Sequence, residues 1–204
     1  MNLRSASVGL FVFLFAKLVF TPAAADAASC ESLTSLSLPN TTITLAQSVA
    51  AGEFSLPATG PGAAEQNAIF KQLPAFCKVA ATLKPSSDSD IKIEVWMPLA
   101  SWNNKFQAVG NGGWAGSITY TLADPGRGVA RGMAEALKRG YATSSTDTGH
   151  SSNSTPGGSF ALGHPEKLID YGYRSVHEMT VKAKAIIDAF YGIGPKLSYW
   201  NGAR

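Results

Sequence analysis

The chain has 204 residues, of which 15% are charged and 45% are hydrophobic, and its formal net charge is +3 at pH 7. This length favours a single domain, and the apolar content excludes an intrinsically disordered chain. Basic residues form no run and do not alternate with aromatic residues along one segment, so the sequence gives no support to nucleic-acid binding.

Residues 1–25 have the pattern of a secretory signal peptide. Arg4 precedes a short apolar run, Lys17 interrupts that run, and small residues follow. The interruption argues against a permanent membrane span. We predict cleavage between Ala25 and Ser29 and a secreted mature chain, free of the membrane, with one domain over residues 26–204. Cleavage would remove two of the 17 basic and none of the 14 acidic residues, which lowers the net charge from +3 to about +1.

Two further features are typical of an extracellular chain. Cys30 and Cys77 are the only cysteines, and in a secreted protein they are most simply a disulfide. In the chain-entropy model such a loop closure stabilises the fold by roughly 4 kcal/mol. A metal site is the alternative, but it would need further ligands nearby, and none is close. Asn40 and Asn153 each begin an N-glycosylation sequon, although Pro156 follows the second one.

The first half of the mature chain predicts short strands and turns. Loose alternation over residues 30–56 indicates one or two strands near a sheet edge, and residues 57–65 form a loop rich in Pro, Gly and Ala. Clearer alternation predicts strands over residues 75–83 and 91–98. A turn separates these two strands, so we expect them to form a hairpin.

The second half alternates between strands and helices. Strands are predicted over residues 106–109, 141–146 and 196–200, helices over 128–139 and 165–191, and a long loop over 151–163. This alternation implies right-handed crossovers and a mostly parallel sheet. The predicted fold class is α/β, the N-terminal part of an α/β-hydrolase core with helices flanking the sheet and no lid domain.

The stretch over residues 110–116 is the most informative one, because four of its seven residues are glycine. Glycines let the backbone turn sharply and approach another group closely. In α/β-hydrolases a turn of this kind after an early strand supplies one half of the oxyanion hole, and Gly112 and Gly113 are the candidate N–H donors. The alternative is a tight turn without chemistry. Trp114 could line a pocket for an aromatic acyl group or simply cover the sheet edge.

Asp147 and His150 follow the strand predicted over residues 141–146. A local triad with a neighbouring serine is disfavoured, because in α/β-hydrolases the nucleophilic serine precedes the acid and the histidine. Two interpretations remain. The side chains could hydrogen-bond the backbone of the following loop, or they could border a substrate cleft at the carboxyl end of a parallel strand. A metal ion at this pair would lack further ligands.

Several stretches together resemble the tannase and feruloyl esterase family of secreted serine esterases. They occur in the family's order, at residues 102–106, 110–114, 140–143, 146–150, 171–177 and 199–202. The resemblance implies hydrolysis of carboxylic esters through an acyl-enzyme on serine. The implied substrates are esters of phenolic acids such as ferulate or gallate, either small molecules or linked to polysaccharide. It implies no cofactor in this chain, although calcium binds the lid domain of many members.

The resemblance fails at the position that matters most for catalysis. In the family, the position of Gly202 is followed by Cys-Ser-x-Gly-Gly, in which the serine is the nucleophile. Here Ala203 and Arg204 follow, and Arg204 falls at the nucleophile position. The family's catalytic Asp and His and its lid domain come later still. We therefore expect a truncated scaffold that is inactive alone, with an unpaired apolar strand over residues 197–200. The alternatives are a non-catalytic binding or decoy module and a product without function.

Overall fold

The structure is a computed structural model that describes residues 28–57, 63–110, 112–114, 116–121, 132–151 and 157–202. The predicted signal peptide, the sequon at Asn153 and the residue Arg204 lie outside these ranges. No helix within the described ranges is long and apolar enough to cross a membrane.

Six strands form one mixed sheet in the order β1-β2-β3-β5-β4-β6. They are β1 (Thr41–Val49), β2 (Phe76–Leu83), β3 (Ile91–Pro98), β4 (Lys105–Val109), β5 (Ala142–Thr146) and β6 (Leu197–Asn201). The predicted hairpin is confirmed as the antiparallel pair β2·β3, and β1·β2 and β3·β5 are also antiparallel. The pairs β4·β5 and β4·β6 are parallel. The expectation of a mostly parallel sheet therefore holds only for β4, β5 and β6. The β2·β3 pair is joined by a turn, as an antiparallel pair allows, whereas the β1–β2 connection contains helix α1.

The described residues form four α-helices: α1 (Ala63–Phe70), α2 (Met133–Lys138), α3 (Pro165–Ile169) and α4 (Ser175–Tyr191). Of these, α1, α2 and α4 pack on the sheet. Helix α1 was not predicted, and its start lies in the stretch interpreted as a loop. Its apolar residues Ile69 and Phe70 are adjacent and do not repeat at helical spacing. Helix α2 lies inside the predicted helix, whose first residues fall outside the described ranges. The predicted long helix is α3, one π turn over Asp170–Arg174 and α4, which ends at Gly192 in the left-handed conformation (φ 70°).

Alternation along β3 divides the core between the two faces of the sheet. Ile93 and Val95 point to one face, where they pack with Met179 and Ile186 of α4. Trp96 points to the other face, where Phe70 of α1 and Met133 and Leu137 of α2 cover it. Fully burying one such side chain stabilises the fold by about 1.5 to 3 kcal/mol. The sheet therefore lies between α4 on one face and the pair α1 and α2 on the other.

The predicted disulfide between Cys30 and Cys77 is present, with a Cα–Cα distance of 5.5 Å. Both cysteines are buried, and the bond joins the 3-10 turn over Glu31–Ser35 to β2. It therefore fastens the N-terminal part of the described chain to the antiparallel side of the sheet.

Strand β6 lies at the edge of the sheet opposite β1. Its side chains Leu197, Tyr199 and Trp200 are about half exposed. Within the described ranges its only strand neighbour is β4, so its second row of backbone groups faces away from the sheet. An apolar strand edge of this kind is a template for pairing with another strand.

Candidate active-site elements

The glycine-rich turn begins where β4 meets the end of β6. The Gly110 N–H donates to the Asn201 carbonyl at 3.0 Å. A Cβ atom built on Gly110 would lie 2.4 Å from the Trp200 ring, and one on Gly202 would lie 2.7 Å from the same ring. A side chain at either position would therefore force the half-exposed Trp200 ring to move. The turn and the Asn201–Gly202 segment share the carboxyl ends of two parallel strands, where α/β enzymes place their sites.

Two side chains bind consecutive carbonyls of the glycine-rich turn. The Tyr171 hydroxyl donates to the Gly113 carbonyl at 2.6 Å, and His150 Nε2 lies 2.9 Å from the Trp114 carbonyl. A carbonyl oxygen can only accept, so Nε2 of His150 carries a proton. The Trp114 ring stacks on Tyr171 with ring centroids 4.7 Å apart and is 49% exposed.

His150 is enclosed and only 7% exposed. Its ring stacks on Phe160 at 3.8 Å between centroids, and Nδ1 lies 3.2 Å from the Thr148 hydroxyl oxygen. On the other side a Cβ atom on Gly116 would come within 2.8 Å of Nε2. Both ring nitrogens thus already contact oxygen atoms, an arrangement suited to holding backbone rather than to accepting a substrate proton.

Asp147 binds the start of β3 to the turn after β5. Its Oδ1 accepts from the backbone N–H groups of Lys92 and Gly149, each at 2.9 Å. Burial raises the pKa of the Asp147 carboxyl to about 6, although these two N–H donors act in the opposite direction. Asp147 therefore binds backbone groups of β3 and of its own turn, which are not those of the following loop named in the first interpretation.

A cavity of about 510 Å³ lies beside the turn after β5. Its lining combines two acidic side chains, four basic or imidazole side chains and one aromatic ring with small residues, namely Asp90, Lys92, Gly116, Asp147, Gly149, His150, Ser151, Phe160, His164 and Lys167. The structure thus brings Asp147 and His150 to one cavity. Trp114 contacts His150 through its carbonyl and is not among the lining residues.

No group of three His, Cys, Asp or Glu side chains that could hold a metal ion occurs in the part of the chain that the structure describes. The calcium that the resemblance assigns to a lid domain therefore has no ligand set among these residues.

Sequence reasoning missed the roles of Tyr171 and Phe160. Tyr171 stood within one of the matching stretches, so the motif was found but not its contact. Phe160 lies in the stretch interpreted as a loop, where it stacks on His150 and packs against Trp114 at 5.9 Å between centroids. Neither contact leaves a periodic signal, because both join segments far apart in the chain.

Sequence reasoning also missed a buried polar group on the face of the sheet that α1 and α2 cover. Glu94 lies 3.0 Å from Lys78 Nζ, and it accepts from Trp96 Nε1 and from the Tyr120 hydroxyl, both at 2.9 Å. Burial, reinforced by the Glu94 charge, raises the pKa of Tyr120. Strict alternation along β3 indicated a half-buried strand, but both of its faces are covered.

The mixed six-stranded sheet, with helices on both faces and a glycine-rich turn after β4, defines a partial core of the α/β-hydrolase type. The family model described as "Tannase and feruloyl esterase" matches residues 77–204. The chain belongs to this family.

The individual relatives are also esterases by name. An uncharacterized esterase of Xanthomonas campestris is 40% identical over 91% of this chain and 29% of its own length. Feruloyl esterase C of Talaromyces stipitatus is 33% identical over 85% of this chain and 30% of its own length. The crystal structure of feruloyl esterase B from Aspergillus oryzae superposes with a TM-score of 0.69 at 29% identity, over 85% of this chain and 31% of that one. The chain thus spans about 30% of the length of these relatives.

Proposed function

We propose that this chain forms the first part of the catalytic core of a secreted carboxylic ester hydrolase that cleaves esters of phenolic acids, either small or linked to polysaccharide. The observation that carries the proposal is the glycine-rich turn, which lies beside the end of β6 with two of its carbonyls bound by side chains. Membership of the tannase and feruloyl esterase family supports the ester as substrate class.

In this proposal Gly112 and Gly113 supply a backbone N–H to the oxyanion that forms when a serine attacks the ester carbonyl. One such donor contributes about 3 to 4 kcal/mol of transition-state stabilisation. In this proposal the half-exposed ring of Trp114 contacts the aromatic acyl group of the substrate. Asp147 and His150 border the neighbouring cavity.

We propose that turnover needs groups beyond this chain, because the relatives are about three times as long. The reaction would use a serine nucleophile, a histidine base and an aspartate that orients the histidine. Both nitrogens of His150 are occupied, which argues against His150 as that base. The chain alone should therefore leave an ester intact.

Secretion is part of the proposal. The disulfide between Cys30 and Cys77 suits an oxidising compartment. Asn40 lies in the turn before β1 with a φ of 54°. Its side chain is exposed, so its sequon is accessible to a glycan. Detection of the natural protein in culture medium tests secretion, and its intact mass after deglycosylation tests the need for groups beyond this chain. A mass well above 21.4 kDa is expected for an enzyme as long as its relatives. A mass below that value would contradict the proposal that the natural protein hydrolyses esters.

Methyl ferulate and methyl gallate test the substrate class. We expect the natural secreted protein to hydrolyse at least one of them and the 204-residue chain to hydrolyse neither. Failure of the natural protein on both esters would overturn the proposed substrate class. The half-exposed Trp114 favours one second candidate, a binding module. Binding of these esters by the natural protein without turnover would support it.

A further inference from the structure

We propose that Tyr171 and His150 are positioning residues that set the directions of the peptide planes in the glycine-rich turn. The inference rests on the proposed function, which assigns N–H groups of this turn to the oxyanion. The Gly113 carbonyl that Tyr171 binds belongs to the same residue as one of the two candidate donors. Tyr171 and His150 act through backbone carbonyls and do not touch the reacting atoms.

A glycine-rich turn needs such anchors. Glycine has more backbone freedom to lose than any other residue, and Gly113 adopts a φ of 55° with open space around its Cα. Catalytic N–H donors are effective only when they already point at the developing charge. The conformational freedom that lets the chain turn therefore has to be removed by contacts from outside the turn.

The two anchors restrict consecutive peptide units. In a planar trans peptide the carbonyl and the next N–H point in opposite directions. The bond from Tyr171 to the Gly113 carbonyl thus sets the direction of the Trp114 N–H. The contact of His150 with the Trp114 carbonyl restrains the other side of Trp114.

The topology shows which way these groups face. Strand β4 lies between β5 and β6. His150 follows β5, and the Tyr171 ring lies 5.8 Å from the His150 ring, so both anchors approach from the β5 side. The two bound carbonyls face that side, and the Trp114 N–H, in the same planar peptide as the Gly113 carbonyl, points away from it. On the β6 side of β4, Gly202 lies 3.4 Å from the position of a Cβ on Gly110.

A local irregularity of the helix presents Tyr171. It lies in the π turn over Asp170–Arg174, which is held by the Arg174–Asp170 pair at 3.1 Å and by the bond from the Ser175 hydroxyl to the Asp170 carbonyl at 2.8 Å. A π turn shifts the helical register by one residue and is frequent at functional sites.

The chain offers a selective spectroscopic test. Among its four tryptophans only Trp114 follows a glycine. Labelling glycine carbonyls with ¹³C and tryptophan amides with ¹⁵N therefore gives one correlated NMR signal, from the Gly113–Trp114 peptide. The variant Tyr171→Phe removes the hydroxyl and keeps the ring stacked on Trp114. Tyr173→Phe is the matched control, because Tyr173 lies in the same π turn and is 66% exposed.

We expect Tyr171→Phe to shift this signal and to make the Trp114 N–H exchange about fivefold faster, as befits one lost hydrogen bond. Tyr173→Phe should change neither. For His150, the variant His150→Gln retains an N–H donor near the Nε2 position and should stay closer to wild type than His150→Leu does. An unmoved signal in Tyr171→Phe, in a folded protein, would overturn the proposal.

Ester hydrolysis by the natural enzyme supplies the second readout. Tyr171→Phe should lower kcat by up to about tenfold, less than the loss of a whole oxyanion donor, and leave KM nearly unchanged. A moved signal with unchanged kcat would overturn the positioning role. If the wild-type enzyme hydrolyses no ester, the proposed function fails, and the Gly113–Trp114 signal alone decides whether Tyr171 and His150 set the turn.

Discussion

The two ends of the sheet differ in the interactions that hold them together. At the β1–β3 end a disulfide, a buried ion pair and two covered faces hold three antiparallel strands together. At the β4–β6 end the strands are short, the edge is half exposed, and a glycine-rich turn is held by two side-chain hydrogen bonds. Stability is concentrated at the first end, and the candidate chemistry lies at the second.

This separation has a physical basis. Close packing gives stability, but a site needs exposed backbone N–H groups and an accessible surface. The glycines that open the turn weaken it, and anchors from elsewhere in the chain restore its order. Changes at the β1–β3 end should therefore alter stability, and changes at the β4–β6 end should alter association or catalysis.

The largest effect is expected from the disulfide. Replacing both Cys30 and Cys77 with Ser should lower the free energy of unfolding by roughly 4 kcal/mol, because the unfolded chain regains the entropy of an open loop. Urea unfolding of the variant and the oxidised wild type measures this. A loss well under 1 kcal/mol would show that the β1–β3 end is held by packing alone.

The next effect is expected from Glu94→Ala. It leaves the partly buried Lys78 without its carboxylate and removes an acceptor from Trp96 and Tyr120, so stability should fall by about 3 kcal/mol. Asp90→Ala is the control, because the Lys92–Asp90 pair is about half exposed and should contribute less than about 1 kcal/mol. Equal effects in urea unfolding would contradict the difference in burial.

The raised pKa of Asp147, at the junction of the two ends, predicts that the free energy of unfolding depends on pH. Its pKa is raised to about 6 in the folded state, from an ordinary value near 3.8. The folded chain therefore binds the proton more tightly than the unfolded chain. Its contribution to stability is complete below about pH 4 and is lost as the pH rises through about 6.

The variant Asp147→Asn tests this contribution, because the amide oxygen can still accept from Lys92 and Gly149. It should flatten the stability profile between pH 4 and 6 and gain roughly 2 kcal/mol over wild type at pH 7. Denaturant midpoints across that pH range measure the effect. A wild-type profile that rises with pH and follows Asp147 would reverse the sign of this interpretation.

The smallest effect on stability is expected at the β6 edge. Leu197→Lys changes a half-exposed side chain, so the free energy of unfolding should stay within about 0.5 kcal/mol of wild type. The charge should reduce self-association, because a lysine on an exposed edge disfavours strand pairing. Analytical ultracentrifugation of the 204-residue chain checks this. Undiminished association would mean that the β6 edge is not the contact surface.

Local patterns predicted much of the fold. Strict alternation located β3, helical spacing located α4, and Gly192 marked its end. The cysteine pair and the family also followed from sequence. Helix α1 did not, because it is short and its two apolar residues are adjacent. The extent of the antiparallel region did not either, because a strand pattern carries no direction.

The sequence by itself determined which segments become strands and helices, which cysteines pair and which family the chain joins. Tertiary structure alone decided that Tyr171 binds a carbonyl 58 residues away, that His150 is enclosed between Phe160 and Gly116, and that Glu94 is buried. The reason is physical. Periodicity along a segment reports that one of its faces is buried, but the partner on that face comes from a distant segment, and only the assembled sheet brings the two together.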